Sequence, residues 1–96
     1  MFTSKQRSVL RSMAQTIEPI TQIGKGGISE NMLTMLSDVL DKRELIKITV
    51  LNNSEYTAKE IIEELCEKLG AEPVCVIGHK IVIYRRSKKD IEHIKY

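Results

Sequence analysis

The stretch ITQIGKGGISENMLTMLSDVLDKRELIKITVL, residues 20–51, changes from a strand-like to a helix-like pattern and back, and it decides the fold. Its first four residues are long enough for a short strand, which runs directly into three glycines and a lysine. Apolar residues then recur at helical spacing, with Ser29 suited to be the N-cap, to an end near Arg43. Leu45–Leu51 alternates between apolar and polar residues, which predicts a strand with one buried face. This order predicts a βαβ unit with parallel strands and a right-handed crossover.

Two further helices flank this unit. Apolar residues at helical spacing predict a first helix over Ser4–Ile17, which Pro19 ends because a proline disfavours helical geometry in the residue before it. After a loop at Asn52–Ser54, the segment Thr57–Glu60 has the form of a capping box and opens a third helix. That helix carries glutamates on its outer side and reaches Gly70, a residue typical of the position after a helix.

Two apolar segments complete the predicted sheet. Val74–Ile77 and Ile81–Tyr84 flank Gly78, which suits a tight hairpin turn with positive φ. Residues 81–84 are apolar on both alternating faces, so we place that strand inside the sheet. The predicted order is α-β-α-β-α-β-β, a two-layer α+β (α/β) arrangement with a mixed four-stranded sheet and packed helices. The charged residues after Arg86 predict a loosely ordered tail.

Length and composition limit the class of protein. Ninety-six residues with 42% hydrophobic content fit one domain, 1–96, with a core of about residues 3–88 and a charged tail over residues 89–96. No run approaches the roughly 18 apolar residues that cross a bilayer, so we expect a cytoplasmic monomer. Cys66 and Cys75 have no metal-ligand spacing and are expected to be buried free thiols, without a metal or another cofactor.

The net charge of +2 hides a strong segregation along the chain. Residues 1–25 hold four basic residues against one acidic residue, and residues 80–89 hold five basic residues and no acidic one. Residues 55–72 hold six glutamates against two lysines. Such a chain has one basic face for a polyanion if the fold brings the two basic segments together.

The glycine segment Gly24-Lys25-Gly26-Gly27 is open to several interpretations. A dinucleotide fingerprint would need a glycine where Ser29 stands, and a nucleotide triphosphate loop would need the lysine after the last glycine. A GxxG loop, in which missing side chains let a polynucleotide backbone approach, fits the pattern. A tight turn that needs positive φ fits it equally well, and Gly26 is the position where we expect a side chain to strain the turn.

The remaining residues argue against an enzyme. The two histidines lie in a turn and in the tail, and the glutamates of the third helix point outward, where they are solvated. No aromatic pair of the RRM type lies on adjacent strands, so RNA would be bound through loop, helix and backbone contacts. A protein-interaction adaptor that uses the acidic face of the third helix remains an alternative, and a small enzyme acting on nucleotides is a weaker one.

Three segments together resemble a known family: PITQIGKGGISENM (residues 19–32), RELIKITVL (residues 43–51) and VIGHKIVIYRR (residues 76–86). They are similar to the CRM domain, the chloroplast RNA splicing and ribosome maturation module, in its bacterial single-domain YhbY/YqeI form. The resemblance covers about residues 3–88. It implies a non-catalytic protein that binds RNA in precursors of the large ribosomal subunit. It also implies a fold similar to the C-terminal domain of translation initiation factor three, with sheet order 1-2-4-3.

The resemblance also implies which residues contact RNA, and none of them is catalytic. The RNA-contacting loop of the family matches Gly24, Lys25, Gly26 and Gly27. The basic residues that the family keeps on its first helix match Arg7 and Arg11, and those that it keeps after its last strand match Arg85 and Arg86.

Overall fold

The computed structural model describes residues 2–52, 55–89, 91 and 93–96, and within them the predicted order of elements is confirmed. Asn53 and Ser54, in the predicted loop before the third helix, lie outside the described residues. The elements are α1 Ser4–Ala14, β1 Gln22–Ile23, α2 Glu30–Arg43, β2 Leu45–Val50, α3 Ala58–Leu69, β3 Glu72–Ile77 and β4 Lys80–Tyr84.

Local side-chain caps set where the helices begin and end. Thr3 and Thr57 each form a complete capping box with the glutamine or glutamate three residues on, and the Ser29 hydroxyl accepts the Met32 N–H at 3.1 Å. Gly70 takes the left-handed conformation after α3, as predicted. Helix α1 ends three residues before the predicted Ile17, because residues 15–17 continue as tighter turns with bonds to carbonyls three residues back.

The sheet has the order β1-β2-β4-β3, with β1 parallel to β2 and β4 antiparallel to both of its neighbours. Strand β4 therefore lies inside the sheet, as its apolar faces predicted. Strand β1 is only two residues long, but its pairing with β2 extends beyond it, since the Ile20 N–H donates to the Lys47 carbonyl at 2.9 Å. The β3–β4 hairpin turns at Gly78, which has a φ of 58°.

The sheet is covered on both faces. The larger core lies between the sheet and helices α2 and α3, and it contains Ile46 and Ile48 of β2. On the opposite face, Leu10 and Ala14 of α1 pack against Leu45 and other residues of the sheet. The prediction that β2 buries only one face was wrong, because α1 adds a third layer that leaves Leu45 2% and Lys47 8% exposed.

The segment after β4 folds back onto the protein, which corrects the prediction of a loosely ordered tail. The fully buried Glu44 carboxylate accepts the Ser87 N–H at 2.6 Å and the Ile94 N–H at 2.8 Å, and His93 Nδ1 lies 2.7 Å from it. The ring of Tyr96 packs edge-to-face against Phe2 near the other end of the chain. The charged composition of the segment does not reveal that it packs on the protein, because the acceptor that holds it, Glu44, lies far away in the sequence. Asp90 and Glu92 lie outside the described residues.

Candidate nucleic-acid interface

The glycine loop joins β1 to α2 at the carboxyl end of β1. It is closed by a hydrogen bond in which the Gly27 N–H donates to the Gly24 carbonyl at 3.0 Å. The left-handed conformation that we expected at Gly26 is found at Gly27, which has a φ of 69°. At Gly26 an added Cβ would meet open space. Lys25 and Gly26 form the exposed tip of the loop. The loop therefore presents an exposed lysine beside a backbone that, among the described residues, has no atom within 4 Å of a Cβ added at Gly26.

Tyr56 is a neighbour of this loop that the sequence pattern did not identify. A Cβ added at Gly27 would lie 3.3 Å from Cε2 of the Tyr56 ring, and the tyrosine is 49% exposed. The residue comes directly before the α3 capping box, but no periodicity in the sequence places it against the β1–α2 loop. A side chain at Gly27 would therefore push against the ring, which adds to the cost set by the positive φ.

Helix α1 brings a row of positive charge to the opposite face of the sheet from α2 and α3. Its basic residues Lys5, Arg7 and Arg11 are exposed, and the helix contains no acidic residue. Its buried side, Leu10 and Ala14, fixes which face those basic residues occupy. The predicted surface positions of Arg7 and Arg11 are confirmed, and their contact with RNA stays a prediction.

The glycine loop is not brought together with the arginines that follow β4. Ile23 is level with Val50 at one end of β2, whereas Tyr84, which precedes Arg85, is level with Leu45 at the other. Five residue rises along β2 separate these levels by about 17 Å. The glycine loop and Arg86 therefore lie at opposite ends of the sheet, and an RNA that contacts both has to cross its length.

Arg85 and Arg86 differ although they are adjacent. The Arg85 guanidinium donates to the Leu69 carbonyl at the end of α3, to the Ser37 carbonyl, and to the Asp41 carboxylate at 3.2 Å. Its side chain is 19% exposed, so it joins α2, α3 and β4 and has few donors left for a ligand. Arg86 is exposed. The geometry thus gives Arg85 a structural role and leaves Arg86 accessible.

The family follows from a comparison with known proteins. Residues 2–85 match the profile of the CRS1/YhbY (CRM) domain. The chain belongs to the CRM domain family. It is 41% identical over 90 residues to "Probable RNA-binding protein YqeI" of Bacillus subtilis, with 94% of each chain covered. It is 31% identical over 88 residues to an "RNA-binding protein" of Haemophilus influenzae, with 92% of this chain and 89% of the relative covered.

A solved structure shows the same fold. The solution structure of a hypothetical protein from Staphylococcus aureus, described as a candidate RNA-binding protein, superposes with a TM-score of 0.80. The two chains are 52% identical, and 98% of each is covered. The predicted order of the sheet, 1-2-4-3, is the order found in this CRM domain.

The other face of this CRM domain is acidic. The outer side of α3 carries four exposed glutamates, which line a shallow groove of about 360 Å³ together with Tyr56 and Ile61: Glu60, Glu63, Glu64 and Glu67. Hydrogen bonds from Thr57 lower the pKa of the Glu60 carboxyl. The Glu60 carboxylate is therefore engaged in the cap of α3. The negative charge of these glutamates disfavours a polyanion on the outer side of α3.

Three further features of the CRM domain bear on other functions: possible metal ligands, helix length and hydropathy, and the two cysteines. In the described part of the chain, no three histidine, cysteine or acidic side chains are grouped so as to hold a metal ion. No helix among those residues is long and apolar enough to span a membrane. Both cysteines are free and half-buried, and burial, with the nearby Glu72 charge, raises the pKa of the Cys66 thiol to about 11. That thiol is a poor nucleophile near neutral pH.

Proposed function

We propose that this protein is a non-catalytic RNA-binding protein that acts in the cytoplasm on precursors of the large ribosomal subunit. The observation that carries the proposal is the division of charge between the two faces of the sheet. Exposed cations occupy α1, a helix without an acidic residue, whereas glutamates occupy the outer side of α3. Relatives named RNA-binding proteins match nearly the whole chain, which supports the same ligand class here.

The parts of the interface have different tasks in this proposal. The glycines at positions 24, 26 and 27 let the sugar-phosphate backbone approach the loop, and Lys25 supplies a cation at the tip. Arg7 and Arg11 extend the electrostatic footprint over the α1 side. Arg86 offers a separate contact at the far end of the sheet, while Arg85 supports the fold behind it.

The test is a salt series of RNA binding with a matched pair of variants. A labelled fragment of large-subunit ribosomal RNA is titrated by fluorescence anisotropy with the native chain, Lys25→Ala and Lys59→Ala. Lys59 is an exposed lysine on the acidic helix. We expect affinity to fall with salt, and Lys25→Ala to bind more weakly with a slope smaller by about 0.7–0.9, because one phosphate contact is lost. Lys59→Ala should behave like the native chain, and equal binding by both variants would remove the loop from the interface.

The ribosomal target needs its own measurement. The tagged protein is expected to sediment with particles smaller than the mature large subunit on a sucrose gradient of cell lysate. It should shift to the top of the gradient when the lysate is treated with ribonuclease. A profile confined to the top of the gradient before treatment would leave RNA binding intact but reject the pre-ribosomal target.

A protein-interaction adaptor is the second candidate, and the four exposed glutamates of α3 favour it. Reversing two of them, in Glu63→Lys/Glu67→Lys, should then abolish capture of a basic protein partner without changing RNA affinity at high salt. If the native chain and the variant capture the same proteins, the adaptor function is rejected. The acidic face would then serve only to repel RNA towards the other side of the molecule.

A further inference from the structure

A row of polar side chains crosses the sheet at the end that carries the glycine loop. Thr49 of β2 is paired with Gln22 of β1 and with Lys80 of β4, and residues at the same level of neighbouring strands point to the same face. Ile48 and Val50, on either side of Thr49, belong to the core against α2 and α3, so the row lies on the α1 side. Gln22 and Lys80 are exposed, and Thr49 is half-buried.

Helix α1 covers the other end of the same face. Its buried residues Leu10 and Ala14 belong to the cluster that contains Leu45, the first residue of β2. Four residue rises along β2, about 13 Å, separate Leu45 from Thr49. The helix therefore packs away from the glycine loop and leaves Gln22 exposed at the near end of this face.

A groove of about 610 Å³ lies beside β1, next to this row. Its lining combines two apolar side chains with three polar ones: Pro19, Ile20, Thr21, Gln22 and Thr49. None of these five residues is charged, so the lining suits a neutral group better than a phosphate. A nucleobase is such a group, because it has an apolar face and an edge of hydrogen-bond donors and acceptors.

The main chain of β1 adds an acceptor to this groove. Strand β1 is at the edge of the sheet, and the Thr21 carbonyl accepts the Thr49 N–H at 3.1 Å. The Ile23 carbonyl likewise accepts the Leu51 N–H at 2.8 Å. Peptide groups alternate in direction along a strand, so the Gln22 carbonyl between them points away from β2. Gln22 thus offers a side-chain amide, with donors and an acceptor, together with a carbonyl at the edge.

We infer that this groove binds a base of a single-stranded RNA segment and that Gln22 reads the edge of that base. The inference rests on the proposed RNA binding and deepens it, because a phosphate contact at the glycine loop positions an RNA without reading its sequence. Lys25 is three residues after Gln22, so their Cα atoms are at most about 11 Å apart. Neighbouring nucleotides can therefore contact the loop and the groove. The RNA has to be single-stranded there, since pairing in a duplex occupies the edge of the base.

The substitution Gln22→Leu tests the role of the amide, because it keeps the approximate size of the side chain and changes no charge. The probes are labelled oligoribonucleotides of adenosine, cytidine or uridine alone, titrated over a salt series. We expect the native chain to prefer one of them. Gln22→Leu should bind that one about tenfold more weakly and lose the preference, with an unchanged salt slope, because the slope counts phosphate contacts.

Two further variants make the result specific. Gln15→Leu, at an exposed glutamine after α1, is the control and should bind like the native chain. Lys25→Ala should weaken all three oligonucleotides alike and make the salt slope smaller, because it removes a phosphate contact. Gln22→Leu should melt at the native temperature, since Gln22 is exposed.

The outcomes distinguish this inference from the proposed function. If Gln22→Leu keeps the native affinity and preference, or if the native chain binds the three oligonucleotides equally, the base site is rejected and RNA binding stands. The same holds if the native chain binds the ribosomal RNA fragment but none of the oligonucleotides. If it binds neither at near-physiological salt, the proposed function fails, and the base site fails with it.

Discussion

The two ends of the sheet differ in whether their basic side chains are exposed or hydrogen-bonded within the fold. At the end that carries the glycine loop, Lys25 is exposed at the tip of the loop. At the other end, Arg85 donates to four acceptor atoms of α2 and α3, and the chain after it is held by the buried Glu44. Both ends are rich in glycine or basic residues in the sequence. Lys25 at the first end is available for a ligand, whereas Arg85 at the other end holds the fold together.

The largest effect is expected at Glu44. The change Glu44→Gln keeps the size of the side chain but replaces a carboxylate that accepts two backbone N–H groups and faces His93. Hydrogen bonds to a buried charged group are worth about 1.5–3 kcal/mol each in favourable cases, so we expect a loss of about 2–4 kcal/mol in the free energy of unfolding. Urea denaturation measures it. An unchanged midpoint would mean that the segment after β4 adds nothing to the stability of its end of the sheet.

Arg85 should come next, and Arg86 is its matched control. Removing the guanidinium in Arg85→Ala leaves the Leu69 and Ser37 carbonyls without their donor, and we expect a cost of about 2–3 kcal/mol. Arg86→Ala should leave the unfolding free energy within about 0.5 kcal/mol of the native value. In RNA binding the order should reverse, with folded Arg85→Ala close to native and Arg86→Ala weaker. If Arg85→Ala is as stable as the native chain, the two arginines are equivalent and the contrast between the ends is lost.

The glycine loop offers a smaller effect that separates two neighbouring residues. Gly27→Ala combines a positive φ with a contact of 3.3 Å to the Tyr56 ring, so we expect a loss of about 1–2 kcal/mol. Gly26→Ala meets open space at a φ outside the left-handed region and should be close to neutral. Thermal unfolding of the two variants measures the difference. Equal melting temperatures would show that the turn tolerates a side chain at either position.

The smallest effect is a pH dependence confined to the Glu44 end. Burial alone would raise the pKa of the Glu44 carboxyl, but hydrogen bonds from His93, Ser87 and Ile94 outweigh it and hold the pKa below the usual value of 4.5. A lowered pKa contributes stability that is present above the unfolded value and is lost as the pH falls through the folded value. We therefore expect the stability difference between native and Glu44→Gln to be constant near neutral pH and to shrink below about pH 4.5. A difference that is the same at pH 3 and pH 7 would contradict the assignment.

The parts of the fold that follow from neighbours in sequence were predictable. The capping boxes, the Ser29 cap and Gly70 act within four residues, so the third helix and the start of the second agree with the expected positions. The interior place of β4 followed from apolar residues on both of its faces. The first helix was predicted too long, because its apolar spacing continues into residues that form tighter turns.

The candidate site was predicted less completely. The GxxG pattern located the loop, but it assigned the left-handed conformation to Gly26, since a pattern of glycines does not say which φ each one adopts. The contact between Tyr56 and Gly27 joins residues nearly thirty positions apart in the chain. Lys47 was assigned to a solvated face because alternation along one strand does not show what covers that strand.

The sequence alone determined the order of the elements, their caps, the family resemblance and the presence of two basic segments, because each of these depends on short-range patterns of residue type. The tertiary structure decided that the glycine loop and the arginines after β4 lie at opposite ends of the sheet, that Arg85 is engaged while Arg86 is exposed, and that Lys47 is almost fully buried on the α1 side. The physical reason is the strand order: β4 runs antiparallel to β2, so the residues that follow it emerge about 17 Å from the glycine loop.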